Sequence, residues 1–244
     1  MKKILTTAFG ILAVISASAQ YICLTTGTTM EYKTTMYNDK DSVAVTSTAR
    51  VLSVDEKDGV YTVCTQEVTP LPETQFGEKT DTTTTVYKAA DKSTTFILST
   101  PEEAKQSVVD MVKMQIQASG QSVSVGELDE FISSIRAKGE LSITVNPDMV
   151  AGTKLPNKTM RITVGQDTMS YNIWEAKVEG TETVVTPAGT YECMKVSFVN
   201  RINAGGENQK INVTEWFAPN IGAVKVQQSI KGKPLMNLEL TKLN

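Results

Sequence analysis

The sequence contains no histidine. Because the imidazole ring is the commonest general base and a frequent ligand of transition metals, its absence excludes histidine-based triads and most transition-metal sites. The glycine patterns of nucleophile elbows, phosphate loops and dinucleotide-binding turns are also absent. We therefore predict a protein that is not an enzyme and that has no catalytic residue, no cofactor and no metal site.

Cysteine is rare, and positive charge is dispersed. The three cysteines, Cys23, Cys64 and Cys193, are too far apart for the C-x-x-C spacing of metal or redox sites. The sequence leaves open whether two of them form a disulfide or all three stay unpaired. Lysine and arginine total 24 against 27 acidic residues, with no concentrated basic run. Nucleic acid and anionic membranes are therefore not expected partners.

The first residues match the three regions of a signal peptide. Lys2 and Lys3 precede an apolar run over 5–15, and 17–19 is an Ala-Ser-Ala cleavage motif. We predict that residues 1–19 are removed after Ala19, which leaves an exported mature chain, periplasmic or extracellular, with 22 basic and 27 acidic residues and a net charge of −5. No later apolar run is long enough to span a membrane.

Lipid attachment at the new N-terminus is not expected. A lipoprotein signal requires a small residue directly before the modified cysteine, and Cys23 follows Tyr21 and Ile22. We predict a mature protein without a lipid anchor.

Most of the mature sequence is typical of β-strands separated by tight turns. The most regular region runs over 181–226, with turns at 186–189 and 218–222 in which a proline precedes a glycine. Further strands are predicted at 41–54, 60–64, 81–87, 93–98, 140–145, 158–164, 168–179 and 210–217, and in a closing pair ending near 241. In the last strand Met236, Leu238 and Leu240 alternate with polar residues, which predicts a sheet with one dry face.

The apolar period changes to that of helices between residues 100 and 139. Thr100 and Glu103 form a capping box around Pro101, and Ser124 begins a second box. We expect the second helix to end at Gly139. We expect the acidic pairs at 102–103 and 129–130 to lie in first helical turns, where they would complement the helix dipole, so we do not interpret them as glycosidase carboxylates.

These patterns predict a mainly β fold. One β-rich domain over 20–244 would form a curved antiparallel sheet or a barrel, with a two-helix insert at about 100–139 covering its open end or concave face. Two half-barrels in succession are the structural alternative.

Five aromatic residues of the C-terminal half are the only ligand-like feature. They are Tyr171, Trp174, Tyr191, Trp216 and Phe217. Curved sheets hold apolar ligands in such settings, although the same residues would also serve as ordinary core.

The resulting hypothesis is an exported, non-enzymatic protein that binds a lipid or another apolar small molecule, or an envelope protein, through a curved sheet. A structural module that uses a sheet edge and a histidine-independent hydrolase are the alternatives.

Three motifs in the C-terminal part resemble a known family. They are the G-x-x-L-P element at 152–156, TPAGTYECMKV at 186–196 and WFAPNIGAVKVQ at 216–227. Over 149–244 the chain resembles the TapB-like family of exported bacterial proteins. The resemblance implies an exported β-rich fold without established catalytic residues, and it assigns no site residue.

Overall fold

The structure is a computed structural model that describes residues 20–38, 41–70, 78–119 and 124–244. The predicted signal peptide lies outside these ranges, and so does Gly120, which the apolar pattern marks as the end of the first helix. Within the described ranges the strands are β1 (Thr29–Tyr37), β2 (Ser42–Lys57), β3 (Val60–Pro70), β4 (Glu78–Lys88), β5 (Ser93–Ser99), β6 (Arg136–Gly139), β7 (Leu141–Val145), β8 (Lys158–Val164), β9 (Asp167–Thr186), β10 (Gly189–Ala204), β11 (Glu207–Ala218), β12 (Gly222–Ile230) and β13 (Lys233–Leu243). The helices are α1 (Pro101–Ser119) and α2 (Val125–Ser134).

The strands form one antiparallel sheet that curves into a nearly closed barrel. Its order is β6-β8-β9-β10-β11-β12-β13-β1-β2-β3-β4-β5-β7. The edge strands, β6 and β7, are consecutive in the chain and are joined only through Glu140. The two ends of the sheet therefore meet at this residue. The prediction of a mainly β barrel is confirmed, and a single sheet forms in place of two half-barrels.

Both predicted capping boxes are present. The Thr100 N–H donates to Glu103 Oε2 at 2.8 Å, and the Glu103 N–H donates to Thr100 Oγ1 at 3.2 Å. Ser124 and Glu127 make the equivalent reciprocal bonds at the start of α2. Since α2 begins at Val125, the acidic pair at 129–130 lies beyond its first turn, contrary to expectation. Each box satisfies backbone N–H groups that a helix start leaves unpaired.

The prediction that the second helix runs to Gly139 is wrong. The helix ends at Ser134, and Ile135 adopts an extended backbone and is only 2% exposed. The next four residues form β6, which pairs with β8. Backbone hydrogen bonds to β8, together with burial of Ile135, stabilise the chain more than one further helical turn would. Arg136 still satisfies the end of α2, because its Nη1 donates to the carbonyls of Ser133 and Ile135.

Two apolar clusters occupy opposite faces of the C-terminal strands. The main core contains Val196 and Phe217, together with buried residues of α1 and β7. The second core contains Cys193 and Trp216, together with residues of β1–β4 and β13. Alternate residues of β10 and β11 therefore enter different cores. Within the described chain all three cysteines are unpaired.

Candidate functional site

A cavity of about 260 Å³ lies between α1 and strands β7–β9. We call it the helix cavity. Register pairs Met160 with Tyr171 and Ile162 with Met169, so these four side chains share one face of the β8–β9 hairpin. They line the cavity together with Ser99, Ala104, Ser107, Val108 and Leu141. The lining is mainly apolar, with three hydroxyl groups.

Two of the three hydroxyl groups that line the helix cavity donate hydrogen bonds to backbone carbonyls. Ser107 Oγ donates to the Glu103 carbonyl at 3.0 Å, and Ser99 Oγ donates to the Thr100 carbonyl at 3.5 Å. In the described chain, no protein group hydrogen-bonds the Tyr171 hydroxyl. An apolar wall with a few oriented polar groups is the usual composition of a small-molecule site.

A second concave site, about 630 Å³ in volume, is an open groove on β9–β11. We call it the Trp174 groove. Trp174 is 41% exposed, and the Arg201 guanidinium lies 4.3 Å from the centre of its ring. Arg201 Nη2 pairs with Glu175 Oε1 at 3.3 Å. A guanidinium above an indole face is a favourable cation–π contact that holds the ring in one orientation.

A smaller cavity of about 200 Å³ lies between β1–β5, β12 and β13. Glu67 lines it and accepts a hydrogen bond from Ser47 Oγ at 2.5 Å. The Tyr32 hydroxyl donates to the Ala223 carbonyl at 3.1 Å. Burial, with a smaller contribution from Glu67, raises the pKa of Tyr32 far above its ordinary value, so Tyr32 stays a neutral donor.

Glu215 is a carboxyl group on the face of β11 that contributes to the main core. Register places it between Val196 and Val226, and Val213 and Phe217 precede and follow it on the same face. Burial raises the pKa of Glu215 from 4.5 to about 7, and no charged neighbour contributes to this change. Its ionisation near neutral pH is therefore coupled to the packing of the barrel wall.

The five aromatic residues predicted as a site occupy separate positions. Tyr171 lines the helix cavity, and Trp174 lines the open groove. Phe217 is 1% exposed in the main core and stacks on Phe96 with ring centres 4.3 Å apart. The remaining two, Tyr191 and Trp216, belong to the second core.

Trp216 is fixed by polar contacts at the edge of the second core. Its Nε1 donates to Glu182 Oε1 at 3.2 Å, while the ammonium groups of Lys195 and Lys225 lie 5.2 and 5.7 Å from its ring centre. Lys195 is the main cause of the lowered pKa of Glu182, and Trp216 adds to it. With 4% of its surface exposed, Trp216 serves packing.

Sequence reasoning did not single out Met160, Ile162 and Met169. The alternation of residues on either side of the turn at 165–166 could have identified them. A hairpin with this turn places residue 160 opposite 171 and residue 162 opposite 169. Glu215 was also missed. A charged residue that has apolar residues two positions before and after it can be recognised as a buried carboxyl only when the inward-facing side of the strand is known.

The described residues contain neither a metal-binding cluster nor a membrane-spanning helix. No group of three or more histidine, cysteine, aspartate or glutamate side chains there is placed to hold a metal ion. Nor is either helix in those ranges long and apolar enough to cross a membrane.

Two solved structures share this fold. A candidate lipoprotein from Parabacteroides distasonis ATCC 8503 matches with a TM-score of 0.63 and 17% identity, covering 93% of this chain and 99% of its own. A candidate exported protein with a YmcC-like fold from Bacteroides fragilis NCTC 9343 matches with a TM-score of 0.59, at the same identity and coverage. No curated protein matches the chain.

The family comparison covers most of the chain. The DUF3108-like family model matches residues 25–240, which is more than the C-terminal part on which the TapB-like resemblance depends. The TapB-like name is not confirmed, whereas the likeness to bacterial proteins described as candidate exported proteins or lipoproteins is. The chain belongs to the DUF3108-like family.

Proposed function

We propose that this protein is an exported, non-enzymatic carrier or receptor that holds an apolar small molecule in the helix cavity. The supporting observation is the cavity itself, which has a floor of four large side chains on one hairpin and a helix as its cover. Burial of apolar ligand surface against such a wall contributes about 25 cal/mol for each Å² removed from water.

The size of the cavity limits the ligand. If each non-hydrogen atom takes about 30 Å³, as a water molecule does in the liquid, 260 Å³ holds about nine such atoms. A short fatty acid or a small substituted ring fits this size. The hydroxyls of Ser99, Ser107 and Tyr171 would offer hydrogen bonds to a carboxyl, ester or alcohol group of the ligand.

The cover is suited to admitting a ligand. α1 contacts β6 and β8 through one face, on which Ala104, Val108 and Val109 are buried, whereas Val112 and Ile116 are only partly buried. Met160 and Met169 add unbranched, adaptable side chains to the floor. Small movements of the helix can therefore open the cavity while the ladder of the sheet stays intact.

Partner binding by strand addition is a weaker candidate. The edge strands contain only four and five residues, and they meet each other at Glu140. Such short edges offer few unpaired backbone groups to another chain. We therefore place ligand binding ahead of an edge-mediated interaction.

Export completes the proposal. We propose that residues 1–19 are a signal peptide cleaved after Ala19. The mass of the mature protein from its host envelope tests this point, since a chain beginning at Gln20 without an added lipid is expected. A chain that starts elsewhere or carries an acyl mass would contradict it.

The binding proposal is tested by calorimetric titration of mature, solvent-stripped protein with hexanoate, octanoate and decanoate. Ala104→Phe fills the cavity from α1, and Gln106→Phe adds the same ring at an exposed position of the same helix that does not line the cavity. We expect saturable binding that Ala104→Phe weakens at least tenfold and that Gln106→Phe leaves unchanged. Equal binding by both variants, or no binding of any of the three acids, would refute the proposal.

A further inference from the structure

The Trp174 groove lies on the face of β9 opposite to the main core. Ile173, the preceding residue, is 1% exposed in that core, whereas Trp174 points away from it and is 41% exposed. Ser197 and Asn212 line the same groove from β10 and β11. The groove is therefore separate from the helix cavity, and a ligand in one does not occupy the other.

An irregularity in β9 shapes this groove. Lys177 pairs with Ser197 but Trp174 pairs with Val199, so two residues of β9 face one residue of β10. One of the two, Glu175, has a φ of +56°, which costs a non-glycine residue about 1–3 kcal/mol. Bulges of this kind change the direction of neighbouring side chains.

The loop that runs beside β9 holds the bulge in place. Glu175 N–H donates to Asn157 Oδ1 at 3.2 Å, and Leu155 N–H donates to the Ala176 carbonyl at 2.8 Å. Backbone groups that β10 leaves unpaired at the bulge thus find partners in the loop. Both partners in the loop also line the groove, which makes the strained backbone part of its wall.

Hydrogen-bonding groups line the groove together with the indole ring. Glu179 Oε1 accepts a hydrogen bond from Ser197 Oγ at 2.6 Å and lies 3.1 Å from Lys177 Nζ. Asn212 and Thr214 add an amide and a hydroxyl on the β11 side. The groove therefore combines an exposed aromatic ring with donors and acceptors elsewhere along its lining.

The charges that line the groove balance. The lining contains two ammonium groups, Lys154 and Lys177, and two carboxylates, Glu175 and Glu179. Arg201 lies outside the lining and adds one positive charge, which pairs with Glu175 beside the ring. A phosphate or a polyanion would meet the two carboxylates, and a polycation would meet the ammonium groups. The balance favours a neutral ligand with many hydroxyl groups, each able to donate and accept.

We propose that the Trp174 groove binds a neutral carbohydrate chain. The C–H face of a pyranose ring would stack on the exposed part of Trp174, while its hydroxyls bond to Glu179, Asn157 and Asn212. At about 30 Å³ for each non-hydrogen atom, 630 Å³ holds on the order of twenty atoms, or roughly two sugar units. The open ends of the groove would let a longer chain continue past them.

The test uses the mature protein and neutral hexasaccharides of glucose, mannose, xylose and N-acetylglucosamine. Because the chain has two tryptophans, Trp216→Phe leaves Trp174 as the sole tryptophan emitter. We expect at least one saccharide to shift the Trp174 emission to shorter wavelength with saturation. Trp174→Ala in the native background should weaken that binding at least tenfold by calorimetry, whereas Trp174→Tyr should retain most of it.

Val185→Ala is the matched control, because Val185 is an exposed apolar residue of the same strand and lies outside the groove. It should leave saccharide binding unchanged. Octanoate binding should be the same in Trp174→Ala and wild-type protein, which separates this site from the helix cavity. Failure of every saccharide to bind at 10 mM, or equal binding by Trp174→Ala, would overturn the proposal. Capture of a protein by this face without saccharide binding would overturn it as well.

Discussion

Replacing Glu215 by glutamine is expected to stabilise the protein at pH 8 and to have much less effect at pH 4.5. Glu215 lies between Val196 and Val226, and burial alone raises its pKa from the ordinary value of 4.5 to about 7. The folded protein therefore holds a proton on this group over a pH range in which the unfolded chain has lost it.

The sign follows from proton binding in the two states. Between pH 4.5 and about 7 the folded state binds more protons than the unfolded state, so the free energy of unfolding falls as the pH rises through this window. Each pKa unit corresponds to about 1.36 kcal/mol, and the difference between 4.5 and about 7 thus corresponds to at most about 3 kcal/mol. A small part of the side chain is accessible to solvent, which makes this value an upper bound.

The assay is urea unfolding of wild type and Glu215→Gln at pH 4.5 and pH 8, followed by tryptophan fluorescence. Glutamine has nearly the same shape and stays neutral, so any cost of its unpaired amide is the same at both pH values and cancels in the comparison. The gain in free energy of unfolding should be larger at pH 8 by about 1–3 kcal/mol. Glu207→Gln, at the exposed start of the same strand, controls for removal of a carboxylate as such. A gain that is equal at both pH values, or larger at pH 4.5, would refute the reasoning.

Three further predictions concern stability and are measured by urea unfolding. Gly139 has a φ of +96°, and an added Cβ would overlap a carbonyl oxygen of β8, so Gly139→Ala should lower the free energy of unfolding by about 3 kcal/mol or more. Gly27 has a φ of +89° with open space around it, so Gly27→Ala should cost only about 1–2 kcal/mol. Equal losses of stability in the two variants would contradict the clash at Gly139. Phe217→Ala removes a buried ring stacked on Phe96 and should cost about 3–5 kcal/mol; a loss below 1 kcal/mol would show that the ring is not packed as described. Ser124→Ala removes the cap of α2 and should cost about 1 kcal/mol, and no loss would indicate that the capping bonds do not form in solution.

The helix starts could be predicted from sequence because capping is local. Thr100 and Ser124 each precede a glutamate by three residues, and the two side chains complete their bonds without any long-range partner. The end of α2 could not, because it depends on β8, which follows more than twenty residues later. Gly139 lies where the chain passes from one edge of the sheet to the other, and its φ is positive. Glycine with a positive φ is also typical of helix ends, so the residue type alone does not distinguish the two positions.

Strand β1 was missed for a related reason. In its sequence, TMEYKTTMY, Met30, Tyr32 and Met36 share one face but Thr34 interrupts them, so periodicity gives a weak signal. Pairing with β2 on one side and β13 on the other satisfies both of its edges and overrides its local composition. Closure of the barrel is thus a property of the sheet order, which the local sequence of β1 does not contain.

The five aromatic residues proposed from the sequence have different environments. Residue type identified Tyr171 and Trp174, which do line cavities, but it could not separate them from the packed rings of Trp216 and Phe217. To distinguish cavity-lining rings from packed rings, one must know which face of each strand is covered. On β9–β11 both faces are covered over much of the strand length. The position of Met160 in the wall of the helix cavity could be recognised only from the register of β8 and β9.

The most direct test of the proposed ligand site is the position of a heavy atom in a crystal soaked with 6-bromohexanoic acid, a molecule of the size the helix cavity admits. We expect an anomalous bromine peak between α1 and the side chains of Met160 and Met169 in wild-type protein, and its loss in Ala104→Phe. A peak confined to any other surface, or a helix cavity that remains free of bromine at saturating ligand, would contradict the account.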